Sequence, residues 1–355
     1  MSQVKPFIIS PDHTITDTIA CIDRNRRGIA LVVDSNDRLI GTITDGDIRR
    51  AVLSGIPLSE PAQVILDRKL AAGAAKAVSA PASTEPTEAL RIMHDASIRQ
   101  LPLVDEDNRV VDLLTIDDLV PEEVLDVHAV VMAGGRGMRL RPLTTNMPKP
   151  MLPIGDRPLM EHIVDQLRGA GIGHVTVTTH FLPERIKEHF GDGENFGVRM
   201  DYLSEKEPLG TAGPLAQIPQ PEKPLLVMNG DILTRVNLRA MLEYHREHNA
   251  ELTVGVRQYD FQVPYGVVES AAGYVKTLHE KPVHSFFVNA GIYLLEPSAH
   301  GAIPSGRRFD MTDLIRSLVD EGRLVASFPI IEYWLDIGRP DDYDRAQRDI
   351  GGALA

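Results

Sequence analysis

Apolar and polar positions follow two different rhythms along the chain. From Gly28 to Ile48, GIALVVDSNDRLIGTITDGDI reads as a short apolar run, a polar turn, a second apolar run and an acidic turn, which predicts a β-hairpin leading into a helix. The rhythm returns from Arg99 to Leu119 as RQLPLVDEDNRVVDLLTIDDL, with Val33, Asp34, Thr44 and Asp47 recurring at one constant offset as Val104, Asp105, Thr115 and Asp118. Ahead of the second copy, TEPTEALRIMHDAS spaces Leu90, Met93 and Ala96 as one helix face, and TITDTIACIDRN is its weaker counterpart ahead of the first. The predicted unit is helix, strand, strand, helix, present twice.

The copies are joined by AAGAAKAVSAPASTEP, and PEEVLDV (Pro121 to Val127) follows the second. Beyond it, the strand-like runs HAVVMAGG, HVTVTTHF, KPLLVMNGD and ELTVGVRQY alternate with the amphipathic helices PLMEHIVDQLRGAG and NLRAMLEYHREHN. Nearly all-apolar strands between helices predict a doubly wound, mostly parallel α/β sheet covered on both faces. The expected domains are an α+β pair over residues 1–123, a linker at 124–127 and the α/β domain over 128–355.

A length of 355 residues suits two cores, and 43% hydrophobic with 25% charged residues suits globular domains. Fifty acidic against 37 basic side chains give a net charge of −13, which repels a phosphate backbone, so no nucleic acid partner is expected. The single cysteine, Cys21, cannot pair internally, which suits a reducing compartment. No apolar run approaches the ~20 residues that span a bilayer. A cytoplasmic protein without a membrane partner is the expectation.

The chemistry concentrates in VVMAGGRGMRLRPLTTNMPKPMLPIG (Val130 to Gly155), where a buried strand ends at Ala133, Gly134, Gly135 and Gly137 and is followed by Arg136, Arg139, Arg141 and Lys149. Missing side chains let backbone N–H groups approach phosphate oxygens, and the cations suit a polyphosphate. The spacing is neither GxxxxGK[ST] nor GxGxxG. Asp231 in LLVMNGD and Asp336 in EYWLDIG stand at strand ends, where open α/β sheets bind ligands, and two carboxylates suit Mg²⁺ beside substrate phosphates.

From His128 to Arg348 these residues resemble the sugar-1-phosphate nucleotidyltransferases. MAGGRGMRLRPLTTNMPKPMLPI is similar to the family's nucleotide loop, PLGTAGPL to its base-side segment and NGD to its metal strand. HEKP, VNAGIY and WLDIG are similar to its sugar-phosphate, sugar and second-metal segments. The resemblance implies a Rossmann-like nucleotidyltransferase fold that joins a nucleoside triphosphate to a sugar 1-phosphate. It also implies that Arg139 clamps the β- and γ-phosphates, Lys149 neutralises the α-phosphate, Asp231 and Asp336 hold Mg²⁺, and Lys281 grips the sugar's phosphate. Glu280 and Asn289 are placed at the sugar hydroxyls, with Tyr265 and Gly266 shaping that pocket. Glu205, five residues before Gly210, which Thr211 follows, stands where the family reads the base. A carboxylate there accepts guanine's two donors and repels the acceptors that flank N3–H of uracil or thymine, which favours GTP over UTP or dTTP.

FQVPYGVVES, EKPVHSFFVNAGIY and FPIIEYWLDIGR, with the repeat in front, are similar to a bacterial subgroup making GDP-sugars for surface glycans. The nearest resemblance is to glucosamine-1-phosphate guanylyltransferases of the legionaminic acid route; mannose and heptose 1-phosphates stay open. The repeat itself, through GTITDGDIRR and LLTIDDL, resembles a tandem CBS pair, which implies an adenine or guanine nucleotide held by Thr44 with Asp47 and Thr115 with Asp118, or a platform for a homo-oligomer. A rival reading makes the second domain an inactive sugar-nucleotide sensor. The complete set of Arg139, Lys149, Asp231, Lys281 and Asp336 speaks for an enzyme.

Overall fold

The structure, a computed structural model, describes residues 5–73, 77–119 and 125–352. The chain divides into two compact units, Met1–Glu123 and Val124–Ala355.

The N-terminal unit carries the repeat twice. Its first copy is β1 (Ile8–Ile9), α1 (Ile15–Asn25), β2 (Ile29–Val33), β3 (Leu39–Thr44) and α2 (Asp45–Leu53), followed by α3 (Gln63–Ala71). The second copy is β4 (Ala80–Pro81), α4 (Pro86–Asp95), β5 (Gln100–Val104), β6 (Val110–Thr115) and α5 (Ile116–Leu119). Each hairpin is antiparallel, with Ala30 opposite Ile43 and Leu101 opposite Leu114. Each is widened by a two-residue parallel strand, Ile8 beside Leu31 and Ala80 beside Leu103. Two residues are too few to display a period, so these strands escape the hydrophobic pattern. Every residue of β2 is buried, which is why IALVV is apolar without alternation. Ile29, Leu31 and Val33 share a core with Val110 and Leu113 of the second copy. On α4 the core face is Ala89 and Met93, one turn apart; Ala96, expected on that face, is the exposed C-cap residue.

The C-terminal unit contains β7 (His128–Met132), β8 (Pro153–Ile154), β9 (Arg157–Pro158), α6 (Leu159–Gly169), β10 (His174–Thr179), α7 (Pro183–Phe190), β11 (Arg199–Ser204), β12 (Leu225–Asn229), β13 (Ile232–Thr234) and α8 (Leu238–Glu247). It continues with β14 (Leu252–Gln262), β15 (Val267–Ala271), β16 (Tyr274–His279), β17 (Val283–Leu295), α9 (Pro297–His300), α10 (Met311–Asp320), β18 (Val325–Pro329), β19 (Trp334–Asp336) and α11 (Pro340–Gly352). Its 7-stranded sheet has the order β11-β10-β7-β12-β17-β14-β18. All neighbours are parallel except β17, which runs antiparallel to both β12 and β14. This is the doubly wound, mostly parallel α/β sheet, with one reversed strand.

The two faces of β7 show how the sheet is buried. Ala129 and Val131 pack with residues of α6, α7 and α8, whereas Val130 packs on the other side with Leu215, Met311 and Leu314. Leu125 and Val127, expected in the linker, are themselves buried in the first of these cores, so apolar burial extends into the supposed connector; residue 124 lies outside the described residues. β14 and β17 outrun the sheet as a two-stranded arm, Tyr259 opposite Phe286 and Phe261 opposite His284, with the β15–β16 hairpin inserted between them. Among the described residues no helix is long and apolar enough to cross a membrane.

The recurring Thr and Asp have a clear structural use in both copies. The Thr44 hydroxyl and amide each donate to the Asp47 carboxylate at 2.9 Å, and the Asp47 amide returns a bond to Thr44 Oγ1, a capping box that starts α2. Lys69 and Arg50 also donate to Asp47, each at 2.7 Å. Burial acts to raise the Asp47 pKa, yet Lys69, the Thr44 amide and Arg50 together bring it below the usual carboxylate range. In the second copy, the Thr115 hydroxyl and amide reach Asp118 at 2.7 and 2.9 Å. There the cation is Arg27 of the first copy, which donates to Asp118 at 2.6 Å and to Thr115 Oγ1 at 2.9 Å.

The copies therefore differ in one respect: the Asp47 side chain is 3% exposed and that of Asp118 is 32% exposed. Asp47→Ala removes a buried carboxylate that caps α2 and accepts from Lys69 and Arg50, and should lower the unfolding free energy by about 2–3 kcal/mol. Asp118→Ala breaks a pair open to water and should lower it by about 1 kcal/mol or less. Urea titrations of both variants followed by circular dichroism measure the difference, and equal losses would contradict the asymmetry.

Candidate active site

β7 delivers the chain to the C-terminal edge of the sheet, and the loop from Ala133 to Lys149 folds back over it. The Ala133 amide still donates to Thr178 at 2.9 Å, which extends the pairing by one residue. Two of the loop's glycines are required by their surroundings. A Cβ on Gly134 would stand 2.8 Å from Glu205 Oε1, and one on Gly137, at φ 58°, would stand 2.8 Å from Thr144 Cγ2 and 3.2 Å from Lys149 Cβ. Thr144 donates to the Gly137 carbonyl at 2.7 Å and closes the loop on itself. Gly135 has open space around its Cα. The turn Met138–Leu140 buries Leu140 and leaves Arg139 at the cavity wall.

Lys149 is 7% exposed and donates to Asp231 at 2.5 Å, with Asp336 3.8 Å away. Asp231 follows β12 through Gly230, where a Cβ would press within 2.9 Å of the Met132 carbonyl. Asp336 arrives on β19, whose antiparallel register sets it opposite Ile232, and the Ile337 amide donates to the Asp231 carbonyl at 3.0 Å. Burial, and next the charge of Asp231, push the Asp336 carboxyl up from its ordinary value, while Lys149 and Arg139 pull it down. Arg139, Lys149, Asp231, Gly135, Gly137 and Gly338 border one cavity of about 200 Å³.

The donor set fits a hard divalent cation. Two carboxylates converge beside a buried ammonium, and among the described residues no group of three or more His, Cys, Asp or Glu forms a fuller cage. A cation held here would draw its remaining oxygens from phosphate and water, as Mg²⁺ does.

Glu205 follows β11 and lies over Gly134. Its Oε2 accepts from the Leu209 amide at 2.9 Å, which orients the carboxylate, and its carbonyl accepts from His180 Nδ1 at 3.0 Å. Burial raises its pKa, opposed by the Leu209 amide and His180. Gly210, at φ 83°, leaves no room for a side chain: a Cβ would fall 2.5 Å from Asp310 Oδ1. The Thr211 amide donates to Asp310 at 3.0 Å and its hydroxyl accepts from the Met311 amide at 2.8 Å, so both polar groups serve the start of α10.

The sugar candidates divide. Tyr265 is 75% exposed, Glu280 approaches Gly266 (a Cβ there would be 3.0 Å from its Oε2), and Lys281 is exposed at φ 45°; all four lie on the arm. No hydrogen bond or ion pair among the described residues joins them to the Lys149 cluster. Among the described residues, Asn289 is linked to it only through Tyr293, on which the charge of Asp231 acts. Its Oδ1 accepts from the Gly291 amide at 2.9 Å, and its side chain bonds the hydroxyl of Tyr293, whose pKa burial and Asp231 push up to about 12 against the pull of Asn289. Gly291 is required because a Cβ would stand 2.5 Å from Asn229 Nδ2. Tyr293, Asn229 and Thr144 lie inside the quoted motifs without being singled out there, and Asp310 lies outside all of them.

The Nucleotidyl transferase family profile matches residues 128–352, and the CBS domain profile matches residues 1–54 and 74–123. The chain is 32% identical over 238 residues to mannose-1-phosphate guanylyltransferase of Mycobacterium tuberculosis, covering 64% of this chain and 66% of that one. It is 35% identical over 245 residues to UTP–glucose-1-phosphate uridylyltransferase of Synechocystis, covering 63% of each. The chain thus spans just under two thirds of the length of these curated relatives. The crystal structure of HddC from Yersinia pseudotuberculosis, 23% identical, shares the fold with a TM-score of 0.51 over 63% of this chain and 99% of that one. With its glycine loop, strand-end carboxylates and central sheet all inside residues 128–352, the chain belongs to the nucleotidyl transferase family.

Proposed function

We propose that the protein transfers a nucleotidyl group from a nucleoside triphosphate, GTP by preference, to a sugar 1-phosphate, giving a nucleotide sugar and pyrophosphate. The reading is carried by the convergence of Arg139, Lys149 and Asp231 on one cavity bordered by the glycine loop, with Asp336 3.8 Å from Lys149. A sugar 1-phosphate has a second pKa of ~6 and is already anionic at neutral pH, so no general base has to act on it. Its phosphate oxygen attacks the α-phosphorus, the bond to the bridging oxygen breaks, and pyrophosphate leaves with the electron pair. What remains is alignment and charge. Arg139 holds the leaving phosphates and Lys149 faces the α-phosphate, while Asp231 and Asp336 would hold Mg²⁺, which supplies charge neutralisation on the triphosphate when bound. Lys281 and Glu280, with Tyr265 and Gly266, meet the sugar phosphate from the arm, and Asn289 meets the sugar from β17.

Glu205 supports guanine. The Leu209 bond fixes Oε2 and leaves Oε1 beside Gly134, where a base with adjacent donors is attracted and one with flanking acceptors is repelled. For the sugar, the motif resemblance favours glucosamine 1-phosphate, within surface-glycan or nonulosonic acid synthesis, and the mycobacterial likeness favours mannose 1-phosphate. Pyrophosphate release over a grid of triphosphates and sugar 1-phosphates decides between them. We place the protein in the cytoplasm and the adenine or guanine nucleotide of the CBS pair at Asp118, because Asp47 is closed off by Lys69 and Arg50.

Asp231→Asn and Asp336→Asn each remove charge but little volume, and each should slow pyrophosphate release by several kcal/mol, roughly a thousandfold, with the fold retained. Near-normal rates in Mg²⁺ for either would overturn the metal assignment. Glu205→Gln should weaken GTP use by about 1–3 kcal/mol and narrow the preference over UTP, because one acceptor becomes a donor facing a donor; unchanged selectivity in kcat/KM would place base reading elsewhere. For the CBS pair, titration calorimetry of the whole chain with AMP, ADP, ATP and guanine nucleotides should give, with at least one of them, heat that Asp118→Ala removes. No heat in the unaltered protein would end that reading.

A further inference from the structure

The charged groups of the site are all carried beside one small core, separate from the two that cover the sheet. Leu140 follows Arg139, Leu152 and Ile154 follow Lys149, Leu233 follows Asp231, and Leu335 and Ile337 flank Asp336; all six are buried in a single cluster. Interiors are close-packed, so a shift in one wall of such a cluster is passed to the others. One wall is α11, which buries Ala346 in the cluster and packs Tyr343 and Ile350 against it.

Apolar packing is non-directional and fixes no register. Directional bonds from α11 do. Tyr343 and Gln347, one turn apart, donate to the Pro153 carbonyl at 2.8 and 2.7 Å, and the Gly155 amide donates to Gln347 Oε1 at 3.0 Å. Gly155, at φ 67°, lets the helix come this close, since a Cβ there would stand 3.0 Å from Ile350 Cγ2. Two residues beyond Gln347, Asp349 accepts from the Tyr333 hydroxyl at 2.8 Å. Pro153 and Gly155 follow the turn that carries Lys149, and Tyr333 precedes β19, which carries Asp336. One helix thus grips both segments whose charged residues stand 3.8 Å apart. We propose that α11 is a brace that sets the spacing of Lys149 from Asp336, with Gln347 the positioning residue on the lysine side and Asp349 the one on the carboxylate side. Its kinetic consequence rests on the reaction proposed above; its structural consequence does not.

Two substitutions in the full chain test the brace. Gln347→Leu keeps most of the volume and removes both bonds to 153–155. It should speed hydrogen exchange of the Met151 and Leu152 amides, which close the Lys149 turn, and leave the emission of Trp334, the one tryptophan, unchanged. Asp349→Ala should do the reverse, shifting the emission of Trp334 beside Tyr333 and sparing those amides. A misplacement of about 1 Å can cost about a hundredfold in rate, so Gln347→Leu should lower kcat for pyrophosphate release about tenfold, with KM for both substrates and the Mg²⁺ needed for half the maximal rate within about twofold. Asp349→Ala should raise that Mg²⁺ concentration about tenfold, as loss of a group that orients a ligand does. A helix that only stabilises the fold would give both variants one signature, with faster exchange extending to β10; that result overturns the proposal, and so do unchanged exchange and emission. If the unaltered protein releases no pyrophosphate with any substrate pair, the proposed reaction falls and exchange and emission alone decide the brace. Tyr343→Phe, which removes one of the two bonds to Pro153, should speed the same amides to a smaller degree and replaces Gln347→Leu if that variant fails to fold.

Discussion

A buried ammonium cannot be left alone in a protein interior, and the C-terminal unit is organised around the answer to that constraint at Lys149. Its partners, Asp231 and Asp336, arrive from β-strands far apart in sequence, and their meeting depends on β13 pairing with β19 and on the amide of Ile337 reaching back to Asp231. The glycine loop is bent to the same end, since Gly137 makes room for Thr144 and for the stem of Lys149 itself. Charge that would otherwise oppose folding is stored as a set of opposed groups at a strand edge, where an anionic ligand with its counter-cation can replace one pairing by another.

Much of this was legible because the informative residues sit beside glycines. Arg139 and Lys149 follow GGRG within one motif, and Asp231 follows a buried strand through Gly230, so their chemistry and their place at a strand end could be read together. Asp336 could be read as a strand-end carboxylate, but not as a neighbour of Asp231, because β13–β19 pairing joins short strands whose register no local pattern reveals. Nor could Lys69 or Arg27 be found as partners of Asp47 and Asp118. Each reaches its carboxylate from another element, and only the Thr-to-Asp spacing within each copy is local.

The reversed strand β17 was harder still. VNAGIY contains the glycine and asparagine of a loop, and the alternation of strands and helices predicts parallel neighbours, yet this segment pairs on both sides through the middle of the sheet. The arm escaped for a related reason: alternation signals one buried face, and an apolar ribbon that protrudes carries the same signal as one that is covered by its own chain.

β17 is a single strand of 13 residues that begins in the arm and ends in the core. At about 3.4 Å per residue it is a rod of roughly 44 Å, with Phe286 near one end, Leu295 anchored at the other and Asn289 between them. β14 pairs with it from Val283 to Leu295, whereas β12 pairs only with Ile292–Leu295, so the outer part is held on one side alone and a load applied at the arm acts as on a cantilever whose support begins at Ile292. A displacement of the protruding ribbon is then passed along one strand toward Tyr293, the residue on which the charge of Asp231 acts.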